Sequence, residues 1–533
     1  MRNSFKIGIA LIITALLGCY PLTTTNKEWK IKDDPTELSK KEIYLKSLKQ
    51  DPAKKYNVIL IMADDLGKNE VSCYNPKSDV PTPNIDKISE EGVHFNNAYV
   101  TAPICSPSRA AILTGRYQQR FGFESQPMDL YPTNGLEYRM GSKNKKLGDW
   151  RVSTDHSYPG PGQIAKQGIP NSEITIAEIF KAVGYHTAIF GKWHLGNFNS
   201  YVPNSKGFEE QYGFYGAFSL YTPKHKTPGY VNFIQDDFSS EHQWNTARYG
   251  SSAIRENDKK VIEKEYLTFA LRDRAIDFMR RNKDSNFLMY VAFNAPHVPF
   301  QAPQEYYDRF PEVKDSNRRV YLAMIAALDD AVGDIMKEVK DLGLEENTII
   351  YFLSDNGGAS YTKATDNGRY KGGKLTHFDG GVNVPMAMYW KGKTESMKFE
   401  HPISTTDIFM TSLINCGIAP PKDRILDGVD LLPHFKANTA PHDKIFWRSN
   451  HIEGMRYNNL KILYSERDQW MHLYDIEKDI YEEFDLKETQ PEKVESLKAI
   501  LKSWIKQLPE KPLWPRIMDR KFVIDGETYY FPA

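Results

Sequence analysis

Asp64 and Asp65 stand side by side one residue after the apolar run NVILIM, residues 57–62. Two buried carboxylates this close repel each other unless positive charge lies between them, and a divalent cation is the economical solution. Asp355 and Asn356 follow a second apolar run, TIIYFL at 348–353, and the glycines after them let the backbone pass close to a ligand. Three carboxylates and an amide oxygen form an all-oxygen ligand set, which favours hard Ca2+ or Mg2+ over zinc.

A third cluster is ICSPSRAAILTGR, residues 104–116. Ser106 is expected to act as N-cap and Pro107 to occupy the first helical position, with the helix running through Leu113 and stopping near Gly115. Cys105 then sits just ahead of a helix N-terminus, where backbone N–H groups and the helix dipole favour an anion. Arg109, in the first turn, leans toward the N-terminus and can reach back to Cys105.

The elements that must position these groups are legible as alternating strands and helices, which points to an α/β fold. Strands are expected at 57–62, 186–190, 287–293, 348–353 and 384–390, and helices at 83–92, 174–184, 265–282 and 317–343. Four of the five strands run into the polar clusters ADDLG, GKWHLG, NAPHVP and SDNGG. Ligands of open α/β sheets bind at the carboxyl ends of strands, so these clusters are expected to share one site. From about residue 440 the pattern changes to short antiparallel strands, followed by a helix near 490–507. The expected layout is a signal peptide at 1–18, a tether at 19–54, a catalytic α/β domain at 55–438, and a C-terminal subdomain at 439–533 with a small antiparallel sheet and a helix.

The N-terminus has Arg2 and Lys6, then the apolar run Ile7 to Leu17, too short for a mature membrane span and suited to a signal peptide. It ends in Leu16-Leu17-Gly18-Cys19, which resembles a bacterial lipobox and implies lipidation at Cys19. Tyr20, where an Asp could stand, favours an outer membrane location, facing either periplasm or cell surface. Lys plus Arg equals Asp plus Glu at 69 each, which gives no electrostatic case for nucleic-acid binding. Four cysteines in 533 residues exclude a disulfide scaffold, and pairing of Cys73 with Cys416 stays open.

CSPSRAAILTGR closely resembles the signature of the type I sulfatases, C-x-P-S-R followed by a small-residue helix and T-G-R. NVILIMADDLG, TPNIDKISEEGVHFNNAYV, YHTAIFGKWHLG, APHVPF, SDNGG, GGKLTHFDGGVNVPM and LKILYSERDQWMHLYDIEKDIYEEFDL are similar to family segments in family order, from about residue 55 to about 490. The resemblance implies an alkaline-phosphatase-like large mixed sheet flanked by helices, with a smaller C-terminal α+β subdomain. It implies that a maturation enzyme oxidises Cys105 to Cα-formylglycine before folding, and that the hydrate of this group is the nucleophile. Asp64, Asp65, Asp355 and Asn356 would bind Ca2+ together with residue 105. Arg109 and Lys192 would hold the formylglycine and the sulfate charge. His194 would assist breakdown of the sulfated intermediate, and His297 and Lys374 would contact the sulfate and protonate the leaving oxygen.

The expected activity is hydrolysis of sulfate monoesters, on O-sulfated glycans with galactose or N-acetylgalactosamine as the suggested sugar. Other readings are a phosphomonoester or phosphonate hydrolase of the same fold, and a glycan-binding lipoprotein without catalysis. Asp379 stands where many family members carry Glu and is read as structural. His225, Arg448 and His451 are candidate sugar contacts, although packing or surface roles are commoner for such residues. The basic stretch SKNKKLGDW (142–150) could meet an anionic polymer or be a solvated loop, and Trp193 is expected to pack.

Overall fold

The computed structural model describes residues 33–128, 149–152, 161–224, 226–235, 238–516 and 518–533. The signal peptide, Cys19, the first part of the tether, His225 and most of the basic stretch lie outside them.

A ten-stranded mixed sheet forms the centre. Its core strands are β1 (Asn57–Ala63), β2 (His186–Lys192), β3 (Phe287–Ala292), β4 (Thr348–Ser354) and β5 (Met386–Tyr389). β1 lies between β3 and β4, parallel to both, and β2 is parallel to β3 on its far side. β5 pairs antiparallel to β4, so the sheet is mixed rather than purely parallel. The expected strand at 384–390 is broken, with Asn383–Val384 pairing elsewhere, because Pro385 interrupts it.

Both faces of β1 are buried, which is why it reads as an unbroken apolar run. Val58, Leu60 and Met62 join one core with Leu288, Tyr290 and Tyr351, while Ile59 and Ile61 join the other with Met289, Val291 and Phe352. This period of two follows from the strand pleat. Helices cover both faces: α1 (Cys105–Thr114) on one, α2 (Ser316–Asp341) on the other.

α2 also organises its neighbour. The helix Pro83–Glu91 has no side-chain cap from its own Thr82. Asp329, buried within α2, accepts instead from the amides of Ile85 at 2.8 Å and Asn84 at 3.1 Å, and from Asn84 Nδ2 at 2.8 Å. Burial pushes the Asp329 carboxyl up to about 6, against the pull of these bonds. Asp329→Ala should lower unfolding stability by about 2 kcal/mol, read by denaturant melts, since it strands buried donors at a helix start. An unchanged midpoint would show that the cap is dispensable.

The stretch assigned to a tether is folded in its second half. Pro35–Ser47 forms a helix whose Tyr44 and Leu45 pack on the core. Lys41 Nζ donates to the carbonyls of Asn171 (2.8 Å) and Glu173 (2.7 Å) and pairs with Glu178 at 2.6 Å. An apolar face and a satisfied buried lysine fasten this helix to the body.

Smaller antiparallel sheets lie C-terminally. Four strands, Lys444–Ser449, Ile452–Tyr457, Leu460–Ser465 and Trp470–Asp475, form a meander covered by the helix Pro491–Ile505. A final hairpin, Met518–Ile524 with Glu527–Pro532, pairs with Trp150–Val152; the sequence reading did not anticipate it. Among the described residues no helix is long and apolar enough to cross a membrane.

Candidate active site

The carboxyl ends of β1, β2, β3 and β4 deliver their polar clusters to one buried point. Asp64 and Asp65 leave β1, with Asp65 in a left-handed conformation, φ 63°. β4 adds Asp355 and Asn356, anchored where the Asp355 amide donates to the Ala63 carbonyl at 3.2 Å. Lys192 closes β2, and His194 follows it at φ 59°. His297 lies just beyond β3.

α1 brings Cys105. The helix starts at Cys105 itself, with Ile104 as its N-cap, so Ser106 is not the cap. The Ser106 hydroxyl instead donates to the His194 carbonyl at 2.5 Å, tying α1 to the segment after β2. Gly115 ends α1 at φ 66°, and a Cβ there would lie 2.5 Å from the Phe409 ring, so conformation and space both require glycine.

Cys105 Sγ lies 3.4 Å from Asp64 Oδ1 and accepts from Lys374 Nζ at 3.2 Å. Lys374 reaches Asp65 at 2.8 Å, and Lys192 reaches Asp64 at 2.6 Å. Arg109 does not turn back to the thiol. Its Nε and Nη2 clamp Asp355 Oδ2 at 2.8 and 2.7 Å, Nη2 lies 3.6 Å from Asp64, and Nη1 donates to the Tyr290 hydroxyl at 3.2 Å. Tyr290 escaped the sequence reading because it alternates within an apolar strand and looks like core.

Three cations thus hold three buried acids. Burial would raise the Asp64 and Asp65 carboxyls, yet Lys192 and Arg109 act on Asp64, and Lys374 and Lys192 on Asp65, to keep them below the ordinary carboxylate range. Burial, with Asp355 and Asp64 nearby, pushes the Cys105 thiol far up, so an unmodified cysteine here is a poor nucleophile. Burial and Lys374 hold His297 down to about 4, and burial with Lys192 holds His194 well below the histidine range. Among the described residues neither ring nitrogen of His194 has a hydrogen-bond partner.

The donor set suits a hard cation. Ligand atoms of Asp64, Asp65, Cys105 and His297 lie within 4.8 Å of one another. Asn356 Nδ2 is fixed by Asp65 Oδ1 at 2.8 Å and Gly357 O at 2.9 Å, which leaves its Oδ1 buried with no partner. A buried amide oxygen without a donor is rare, and beside two carboxylates it is the expected state of a cation ligand. Asp355 adjoins this set, its Oδ1 accepting from the Asp65 amide at 3.3 Å and its Oδ2 held by Arg109.

The weaker candidates fall outside this centre. Arg448 is paired with Glu124 at 2.5 Å and bonds the Pro509 carbonyl. His451 bonds the Tyr530 carbonyl and lies 3.1 Å from Asp468. Trp193 is buried, its Nε1 donating to the Tyr201 carbonyl at 2.8 Å. Asp379 sits in a buried ion cluster with Lys461, which also pairs with Glu482.

Comparison with known proteins identifies the family. The sulfatase family model matches residues 56–418. N-acetylgalactosamine-6-sulfatase of Rattus norvegicus is 32% identical over 383 residues, 71% of this chain and 65% of the rat protein, just under two thirds of its length. The uncharacterized sulfatase YdeN of Escherichia coli (strain K12) is 32% identical over 438 residues, covering 76% of this chain and 71% of YdeN. The crystal structure of Ps i-CgsB in complex with k-i-k-neocarrahexaose superposes with a TM-score of 0.71 at 30% identity, over 86% of this chain and 94% of the other. With the family match spanning more than half of its length, this chain belongs to the sulfatase family, a family of sulfuric ester hydrolases.

Proposed function

We propose that this protein hydrolyses O-sulfate esters of glycans and releases inorganic sulfate. One observation carries the reading: Cys105, at the N-terminus of α1, meets Asp64 and Lys374 at 3.4 and 3.2 Å in a site walled by buried cations. Ca2+ fits the oxygen donors of Asp64, Asp65, Asp355 and Asn356 together with residue 105, and Mg2+ would use the same set. When bound, such a cation supplies Lewis-acid stabilisation of a sulfuryl oxygen. Cα-formylglycine at residue 105, made by a maturation enzyme, supplies a hydrated aldehyde as nucleophile.

The chain's own residues do the rest. Lys192, Lys374 and Arg109 place fixed positive charge around the position where an ester's negative oxygens must sit, and hold it there without reorganisation. Lys374 stays an ammonium, since burial is outweighed by the Asp65 carboxylate. Burial and Lys374 favour the neutral His297 ring, whereas an arriving anion favours the imidazolium, so substrate itself moves this ring toward a proton donor. His194, whose ring nitrogens have no partner among the described residues, can accept a hydrogen bond as a neutral ring.

His297→Ala should therefore cut kcat on a sugar sulfate by about 10²-fold or more, yet on 4-nitrophenyl sulfate by less than about tenfold, because a nitrophenolate leaves without help. Equal losses on both would assign His297 a different task.

The names of two similar proteins support galactose or N-acetylgalactosamine as the sulfated sugar: the rat enzyme is an N-acetylgalactosamine-6-sulfatase, and Ps i-CgsB was crystallised with k-i-k-neocarrahexaose. The lipobox-like Leu-Leu-Gly-Cys supports anchoring at Cys19 in a bacterial envelope, with the catalytic unit carried from the membrane. The reading is tested by kcat/KM on matched aryl sulfate and aryl phosphate esters. Preference for the sulfate is expected. Preference for the phosphate would favour a phosphomonoesterase, and no turnover of either by matured protein would favour a binding protein.

A further inference from the structure

The final hairpin presents one face to the catalytic unit. On that face Phe522, Tyr529 and Phe531 pack against Ile104, Leu375 and Phe378, and Ile104 and Leu375 are the chain neighbours of Cys105 and Lys374. Arg520 lies on the same face, since Phe531 is its cross-strand partner, and Trp150 pairs with it from the other side. Its guanidinium stacks over the Tyr361 ring at 4.0 Å and near the Trp150 ring at 5.1 Å. Arg520 is only 6% exposed.

Among the described residues no carboxylate pairs with this guanidinium, and it makes no side-chain hydrogen bond. Its neighbours differ. Arg151 pairs with Asp468 and Asp519, Arg467 with Asp519, and Arg448 with Glu124. A guanidinium with no anion beside it has its donors open to one. Its stacking between two rings pre-organises the planar fork for a carboxylate or sulfate. Tyr361 is the link inward, being close enough for Lys374, Asp65 and Cys105 to act on its hydroxyl. The cleaved sulfate already has Lys192, Lys374 and Arg109, so Arg520, stacked on the Tyr361 ring, is set for something further along the substrate.

We propose that Arg520, held between Tyr361 and Trp150, binds a second anionic group of the glycan, a sulfate or carboxylate on the sugar next to the one whose ester is cleaved. The inference rests on the sulfate-ester reading above and makes the preferred substrate a polyanionic chain rather than a singly sulfated one.

The test reads binding, so it needs no turnover. In a Cys105→Ala background, calorimetry compares three galacto-configured disaccharides: monosulfated, sulfated on both rings, and sulfated on one ring with a carboxylate on the other. Arg520→Gln should reduce the affinity ratio of at least one doubly anionic probe to the monosulfated one by about tenfold to hundredfold, the scale of a charge-assisted hydrogen bond. The probe that loses identifies the anion. Arg520→Lys, which keeps charge but not the planar fork, should fall between. A ratio unchanged for both probes overturns the proposal, as does a background protein that prefers neither to the monosulfated sugar. Failure of the sulfate-ester reading shows separately, as no sulfate release from any of the three by matured wild-type protein.

Discussion

Cys105→Ala should release no measurable sulfate from an aryl or sugar ester, a loss of at least about 10⁴-fold in kcat, while the protein melts within about 3 °C of wild type. The asymmetry follows from position. The thiol is small and wholly buried, at the start of a helix whose own bonds do not use it. Its deletion removes contacts with Asp64 and Lys374 but leaves both paired, with Lys192 and Asp65. Cys105→Ser is the sharper variant. A hydroxyl can attack but has no second hydroxyl to expel the sulfate, so a stoichiometric burst followed by silence is expected. Steady turnover by either variant would remove residue 105 from the chemistry.

The second large effect is expected at Asp65. Asp65→Ala should lower kcat/KM by about 10³-fold and weaken Ca2+ binding, measured by calorimetry, by at least about tenfold. This carboxylate holds Lys374 at 2.8 Å and orients the Asn356 amide at 2.8 Å, so its loss disturbs the ammonium beside Cys105 and the oxygen that would hold a cation. Removing one partner also strands the other, so some loss of stability should accompany the loss of rate. Wild-type affinity for Ca2+ in this variant would show that the cation sits elsewhere.

Much of this was legible in the sequence, for identifiable reasons. β1 and β4 bury both faces, so they read as continuous apolar runs, and the acids that end them stand out against that background. α2 declares itself by Tyr321, Ile325, Leu328, Val332 and Ile335 at helical spacing, all fully buried. The end of α1 followed from Gly115. Its start did not, because Ser-Pro is a common helix-opening pair and the sequence does not say that the Ser106 hydroxyl is claimed by His194, 88 positions away. Arg109 shows the same limit. Helical geometry sets the direction of its side chain, but the partner that wins, Asp355, comes from a distant strand. The folded helix Pro35–Ser47 hides in a polar stretch whose stabilising contacts, such as Lys41 with Glu178, are also long-range. Tyr290 and Arg520 carry no local signal at all; each is defined by what the fold places beside it.

The most direct measurement is the mass of the tryptic peptide Ile88–Arg109 from protein produced with a formylglycine-generating enzyme and assayed for sulfate release in the same preparation. Conversion of the Cys105 thiol to an aldehyde lowers the peptide mass by about 18 Da. The account predicts that loss in active protein, with activity scaling with the converted fraction. Full activity in protein whose peptide retains an unmodified thiol would contradict it.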